Sequence, residues 1–385
     1  MTGQLRRLRR RVWALAAIVT VPAIIGLGLD PHRFLVAYLE GYLIWMGIVL
    51  GCLGIWVIHN LVGGQWGDPI GRIVQASART LPLMAVLFLP ILLGMRAIFP
   101  WMDRARVLHD PVLSQKIWYL NVPFFIGRNI VFFAIWLWLL GGLVRRSPAA
   151  NDDLAAPGTQ RLQNLSGLGA LLLFFSASFA AFDWVLTLQP YYYSTLFGPF
   201  VLMGQLLGAF AFCTFGGIRL ARLVEGGEAV LAPEKLGDLG NLILMSIVLW
   251  MYMVFSQYLI TWSGQIRAEV SWYNVRFIGG WQWLGGALLA FNFVVPLVCL
   301  LFRPIKRNPR WLCWLCGMLG LMQWVDALWL VGPSFSPMAI SLHWLDIAVP
   351  VALGSIWVGA FLWRLEKGVP PFARGHAAAI ARYAA

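Results

Sequence analysis

The sequence predicts an all-α polytopic membrane protein of about ten transmembrane helices forming a single membrane domain, and three observations carry that prediction. First, the 385-residue chain is 60% hydrophobic and only 12% charged, too few charges to solvate the surface of a soluble protein this long. Second, its apolar runs reach the roughly 20 residues that a helix needs to cross a bilayer. Third, those runs are apolar all round. They lack the short alternating segments of a membrane barrel, and helices are the other structure that satisfies every backbone group in lipid.

Taken in order, the runs place spans at residues 12–29, 34–58, 78–99, 121–145, 164–189, 195–223, 239–262, 279–302, 309–331 and 345–365. Span 1 follows an arginine-rich start. It has no small-residue cleavage site and span 2 follows at once, so it reads as a retained helix rather than a leader. Span 2 carries Glu40 and ends in the Gly-rich run from His59 to Gly67. Span 3 contains Pro82 and Pro90, and span 8 contains Pro296. Arg128 lies in span 4, Asp183 in span 5, Gln257 and Tyr258 in span 7, Asp326 in span 9, and Asp346 opens span 10. No soluble domain interrupts the series, and the longest loops are about 20 residues.

Ten spans put both ends of the chain on one side. That side carries 21 of the 29 Lys and Arg residues and the other carries 8. The positive-inside rule therefore places both termini in the cytoplasm. The same asymmetry, together with anionic lipid at the inner surface, accounts for the net charge of +13 without nucleic acid.

The chemistry-bearing residue types argue against a resident redox centre. An iron–sulfur cluster needs four thiolates at suitable spacing. The five cysteines are Cys52, Cys213, Cys299, Cys313 and Cys316. Cys313 and Cys316 form a C-x-x-C inside span 9 with no second pair nearby, which reads as two small apolar residues. None of His32, His59, His109, His343 and His376 falls in mid-membrane, where a bis-histidine haem needs its ligands. No phosphate-binding glycine loop occurs between a strand and a helix. The expectation is a chain without metal or covalently held cofactor.

Polar groups within the spans are the remaining functional candidates, because they are costly in lipid and usually face the bundle interior. Glu40, Asp183, Asp326 and Asp346, with Arg96 and Arg128, concentrate in the outer half. Their shared depth points to a hydrated cavity or proton path. His59, near its unperturbed pKa a natural proton acceptor, stands with Arg79 at the inner ends of spans 2 and 3. Asp183 is the leading proton carrier, served by Glu40 from outside and His59 from inside, because desolvation in apolar surroundings favours a neutral carboxyl group. The alternative is a structural ion pair with Arg128. Gln257, Tyr258 and Trp184, with Arg128 and Arg96, are candidates for a polar cavity suited to a flat aromatic headgroup such as a quinone. The outer loops 100–120 and 263–278 are rich in Trp, Tyr and Arg, which suits docking of extrinsic subunits.

Five features together resemble a known family: HNLVGGQWG (59–67), ARTLPLMAVLFLP (78–90), FDWVLTLQPYYYSTLFG (182–198), MVFSQYLITWSGQI (253–266) and the aromatic pair Trp272-Tyr273. They are similar to the NrfD-like membrane subunits of respiratory quinol-oxidising complexes, most of all the ActF subunit of alternative complex III. The resemblance implies two four-helix bundles, spans 2–5 and 6–9, flanked by spans 1 and 10. It implies a bacterial inner-membrane subunit without bound metal, beside a sister NrfD-like subunit, an iron–sulfur subunit and multihaem c-type cytochromes on the outer side, with a terminal oxidase as an electron acceptor in some assemblies. It further implies quinol oxidation by the complex, with quinone binding or proton conduction as this subunit's share. Two other classes stay open on the sequence: an autonomous secondary transporter, for which Pro-broken helices are the feature, and a purely structural anchor for extrinsic redox subunits.

Overall fold

The computed structural model describes residues 2–146, 157–223 and 230–368. Arg374, Arg382 and His376 lie outside the described residues. Among those described there is no strand, and ten helices are long and apolar enough to cross a membrane: Gly3–Leu29, Pro31–Val62, Gly71–Leu93, Val122–Arg146, Gln160–Leu188, Phe197–Ala221, Pro233–Gly264, Trp281–Leu301, Pro309–Phe335 and Leu345–Glu366. They are numbered here as spans 1 to 10. Ten crossings leave the described chain beginning and ending on one face, called the terminal face; the opposite one is the distal face.

The spans close into two rings. Span 2 packs on spans 3 and 5, and span 4 packs on spans 3 and 5. Span 6 packs on spans 7 and 9, and span 8 packs on spans 7 and 9. Spans 2 and 6 join the rings along their length, with further contacts of span 6 on span 5 and of span 2 on span 9. Span 10 lies against spans 2 and 3, and span 1 lies outermost against span 10. Spans 2, 6 and 10 are consequently the most buried along their apolar windows, at 72%, 61% and 67%, whereas span 1 is only 17% buried.

Small residues allow the central contact. Apolar side chains gain little by leaving lipid for a neighbouring helix, so close backbone approach has to supply the packing. Gly47, Gly51 and Gly54 line the face of span 2 turned to spans 5 and 6. At Gly51 any side chain would run into the Gln205 carbonyl and the Ala209 methyl. Cys52 and Cys213 meet across the same seam, Sγ to Sγ 3.4 Å, both buried and unbridged.

Two spans are irregular. Span 3 comprises the short helices Gly71–Ala78, Leu81–Leu87 and Leu89–Leu93, with Pro82 and Pro90 in the first turns of the second and third. Proline supplies no N–H, so carbonyls of the preceding turn lose their partners. Tyr38 and Tyr42 of span 2, four residues apart and hence on one face, donate to the carbonyls of Leu87 (2.8 Å) and Met84 (3.1 Å). Span 8 contains a π-helical segment, Leu289–Val294, ahead of Pro296.

The hydropathy-based limits differ from the helices mainly at the ends. Span 1 is helical from the arginine-rich start, where Arg6 and Arg9 pair with Glu366 at 3.0 and 2.9 Å. Span 2 begins at Pro31 because Asp30 caps it, accepting from the Arg33 N–H at 2.9 Å. Span 3 starts at Gly71, seven residues before the expected 78. Its Arg79 sits inside the helical stretch with Gln75 as partner (3.4 Å) and the Trp56 ring 5.9 Å away.

Candidate functional site

The buried acidic groups of the distal half fall into three separate settings. At the distal end of the first ring, Asp183 is fully buried and held by Arg128 of span 4. The guanidinium grips it with two bonds, Nε to Oδ2 at 2.8 Å and Nη2 to Oδ1 at 2.9 Å, and Tyr119 Oη donates to Oδ1 at 3.1 Å. Arg128 also donates to the Tyr119 carbonyl at 2.8 Å and lies over the rings of Tyr119 (3.8 Å) and Phe124 (4.5 Å). Burial raises the Tyr119 hydroxyl well above its ordinary pKa, and the neighbouring Asp183 adds to this, so it stays a donor. This is the ion-pair arrangement, and it gives the Asp183 carboxylate a fixed cation.

The second setting joins the distal ends of spans 2 and 10. Arg33 pairs with Asp346, which also accepts from the His343 N–H at 2.9 Å. Arg33 bonds Ser341 as well. Glu40, buried, has Asp346 and Arg33 as its charged neighbours and leaves Oε2 without a hydrogen bond. Glu40 therefore belongs with span 10, not with Asp183 as its depth alone had implied. The helical turn explains this: Tyr38 and Tyr42 face span 3, and Glu40, two residues from each, points about 200° away.

The third setting is a cleft where spans 2, 6 and 9 meet. Gly47, Gly204, Gln205, Gly208, Gln323 and Asp326 contribute to its wall around a cavity of about 40 Å³. That is room for one to about three waters. Asp326 is 8% exposed and its Oδ1 has no hydrogen-bond partner among the described residues; the same holds for Gln205 Oε1. A methyl group at Gly204 would stand 3.8 Å from Asp326 Oδ2, in ordinary contact, so the carboxyl group lies directly against this turn of span 6. Among the described residues Asp326 forms no ion pair. Ile44, one turn along span 2 from Glu40, lines the same cleft.

Arg276 is a distal cation of another kind. It follows the surface helix Arg267–Asn274 and is 1% exposed. It donates to the carbonyls of Trp272 (2.9 Å) and Leu330 (2.7 Å) and to Gln189 Oε1 (3.4 Å). Its guanidinium lies 3.2 Å from the Trp272 ring centre and 5.1 Å from that of Trp329. Burial pulls it well below its ordinary basicity, opposed by Tyr192 and Tyr273. Tyr192 stacks on Trp272, centroids 4.8 Å apart.

The remaining candidates are dispersed. Trp184 is a core residue, donating to Asn129 Oδ1 at 2.8 Å among Tyr42, Phe88, Phe133 and Trp136. Gln257 bonds Ser194 and Thr261 inside the second ring. Tyr258 lines a different distal groove with Trp262, Arg267 and Tyr273. Arg96 is exposed on the short helix Met95–Ile98, beyond span 3. The five residues expected around one polar cavity thus do not share one. His59 bonds the Gly64 carbonyl (3.2 Å) and meets Trp66 edge-on at 4.9 Å, closing the turn in which Gly64 has φ 107°.

Sequence reading passed over Gln205, Gln323 and Asn292. Asn292 is fully buried in the π-helical segment, and its side-chain amide has no hydrogen-bond partner among the described residues. Amides carry no charge, so they do not stand out in a run of hydropathy. The signal available was Pro296, four residues on, which removes the N–H that the Asn292 carbonyl would accept. Among the described residues, no group of three or more His, Cys, Asp or Glu side chains is placed to hold a metal ion. No protein-family model matches the chain, and no curated protein matches it.

Proposed function

We propose that this chain is a membrane subunit, without metal or covalently bound cofactor, of a quinol-oxidising electron-transfer complex in a bacterial cytoplasmic membrane. In this reading both termini are cytoplasmic, the distal face is the outer one, and the subunit's own contribution is a proton path in the outer half of the bilayer. The observation that carries it is the unpaired, buried Asp326 beside a water-sized cleft between the two rings. An intramembrane carboxyl group without a cation is held by something other than packing, and proton relays use such groups. Glu40 and Asp346 stand at the distal entrance, and Ile44 and Gly47 continue along span 2 to the cleft. Toward the terminal face spans 2 and 6 close on each other at Gly51 against Ala209 and at Cys52 against Cys213. The proposed path is a half-channel on the distal side.

The resemblance of five segments to NrfD-like subunits supports the assignment to a quinol-oxidising complex. In this reading extrinsic iron–sulfur and multihaem partners dock on the distal side, where Trp118, ahead of span 4, is 74% exposed. The test is affinity purification in mild detergent. Haem-bearing partners should co-purify, and the assembly should oxidise quinol with cytochrome c as acceptor. Asp326→Asn should leave assembly intact and abolish proton coupling. A clean monomer without haem partners, or full coupling in Asp326→Asn, defeats the proposal.

Secondary transport is the second reading, favoured by the π-helical break that sets Asn292 roughly 17 Å from the distal end of span 8. Transporters place their sites at such midplane breaks. Asn292→Leu separates the readings: it abolishes solute uptake by the reconstituted chain if the protein is a transporter, and leaves quinol oxidation intact if it is not.

A further inference from the structure

On the terminal face a groove of about 610 Å³ opens between the end of span 6 and the start of span 9. Its rim carries three arginines, Arg219 and Arg222 from span 6 and its C-terminal cap and Arg310 from span 9. Its wall is apolar, with Phe215, Trp314 and Leu321. Arg219 lies 5.2 Å from the Phe215 ring centre. None of the three arginines forms an ion pair among the described residues, and all three are exposed.

The depth of these groups matters. Arg219 is in the last turn of span 6 and Arg310 in the first turn of span 9, so all three cations stand at headgroup level. From Arg310 to Leu321 the groove runs about 16 Å along the helix, comparable to an acyl chain. Trp314 and Leu321 are 62% and 59% exposed, so the wall faces the lipid side. A ligand with a negative head and a hydrocarbon tail satisfies both halves at once. A soluble anion would satisfy the rim alone, and a neutral lipid the wall alone.

We propose that this groove is a binding site for an anionic phospholipid, whose phosphate is clamped by Arg219, Arg222 and Arg310 and whose acyl chain lies along Trp314 and Leu321. Basic pockets between membrane helices recognise phosphate headgroups in this way. Guanidinium groups suit the role because their planar forks bind phosphate oxygens in pairs.

The experiment is native mass spectrometry of the full-length chain, delipidated in mild detergent and titrated with cardiolipin, phosphatidylglycerol and phosphatidylethanolamine. The parent should retain the two anionic lipids in preference to phosphatidylethanolamine. Each single change, Arg219→Gln, Arg222→Gln or Arg310→Gln, should weaken anionic-lipid retention roughly fivefold. The exposed positions of all three make misfolding a poor explanation for a loss, and phosphatidylethanolamine retention in the same variants provides the control. Inorganic phosphate at millimolar concentration should not displace the lipid. Equal retention of anionic and zwitterionic lipids by the parent overturns the proposal. Unchanged retention in all three variants, or displacement by inorganic phosphate, overturns it too.

Discussion

Removing Arg128 and removing Asp183 should have unequal consequences, and the inequality follows from where each group sits. Asp183 is fully buried, while the Arg128 side chain keeps 10% of its surface exposed. In Arg128→Leu the carboxylate retains only the Tyr119 hydroxyl as a donor, and stranding a buried charge in this way costs about 3–5 kcal/mol. In Asp183→Leu the guanidinium keeps the Tyr119 carbonyl and two ring faces. It lies six residues into span 4, about 9 Å from the distal end, and its long side chain can turn its head toward water. The loss is then closer to that of a charged hydrogen bond, about 1.5–3 kcal/mol. In the double variant both charges are gone, and apolar replacement of a buried pair is often near neutral. The coupling between the sites is therefore the sum of the two single losses, about 4.5–8 kcal/mol, a factor of more than about a thousand in the unfolding equilibrium. Reversible unfolding in mixed micelles of mild detergent and sodium dodecyl sulfate, followed by tryptophan fluorescence, measures all four species. Equal costs for the two single variants, adding up in the double, would mean that the pair is solvated and that Asp183 is free to serve as a proton carrier after all.

Other outcomes follow from the same geometry. Gly51→Val should keep the protein from accumulating in the membrane, since its side chain must displace the Gln205 backbone and Ala209; overpacking of this sort costs about 1–3 kcal/mol, and a western blot of membrane fractions reads it. Arg276→Lys should destabilise nearly as much as Arg276→Met, because an ammonium cannot reproduce the stacked, forked contact with Trp272 and two carbonyls; full stability of the lysine variant would contradict this. Trp118→Glu on the distal surface should leave the chain folded yet reduce recovery of extrinsic partners in pull-down, and unchanged recovery would remove that tryptophan from the docking area.

How much of this was legible in the sequence depends on which property each residue expressed. Hydropathy reports the length of hydrocarbon crossed, so the ten spans and their order were readable. Helix ends were less so, because Asp30 capping span 2 and Arg6 reaching Glu366 act outside the apolar run. Arg128 was identifiable as a partner for Asp183 because both lie near the distal ends of consecutive, antiparallel spans. Glu40 was assigned to the wrong neighbour because depth was known but rotation was not. The orientation of span 2 is marked by the pair Tyr38 and Tyr42 reaching the Leu87 and Met84 carbonyls of span 3, where that span is divided into short helices. That arrangement needs the elements in contact before it can be read. Gln205 and Gln323 carry no formal charge and gain meaning only beside Asp326.

The distal half of the molecule treats its buried charges by distinct physical means, and the comparison isolates the functional candidate. Asp183 is met by a forked guanidinium, and Asp346 by Arg33 and a backbone N–H. Arg276 has no carboxylate but is held by two carbonyls and an indole face, which together supply the negative potential a cation requires. Each of these groups has a partner of opposite charge or potential within the chain, although Asp346 Oδ1 and Arg276 Nε are left without a hydrogen bond. Asp326 has no such partner: no cation pairs with it among the described residues, one oxygen is unbonded, and it lines a cleft the size of a few waters whose wall is apolar apart from two amides and three glycines. Glu40 is the nearest parallel, buried with Oε2 unbonded, but it stands beside Arg33; among the described residues Asp326 has no such cation beside it and borders water-sized space, an arrangement that treats its protonation as a variable. That contrast directs the proton-path experiment to Asp326 in preference to Asp183, although only Asp183 is embedded in a motif that the sequence made conspicuous.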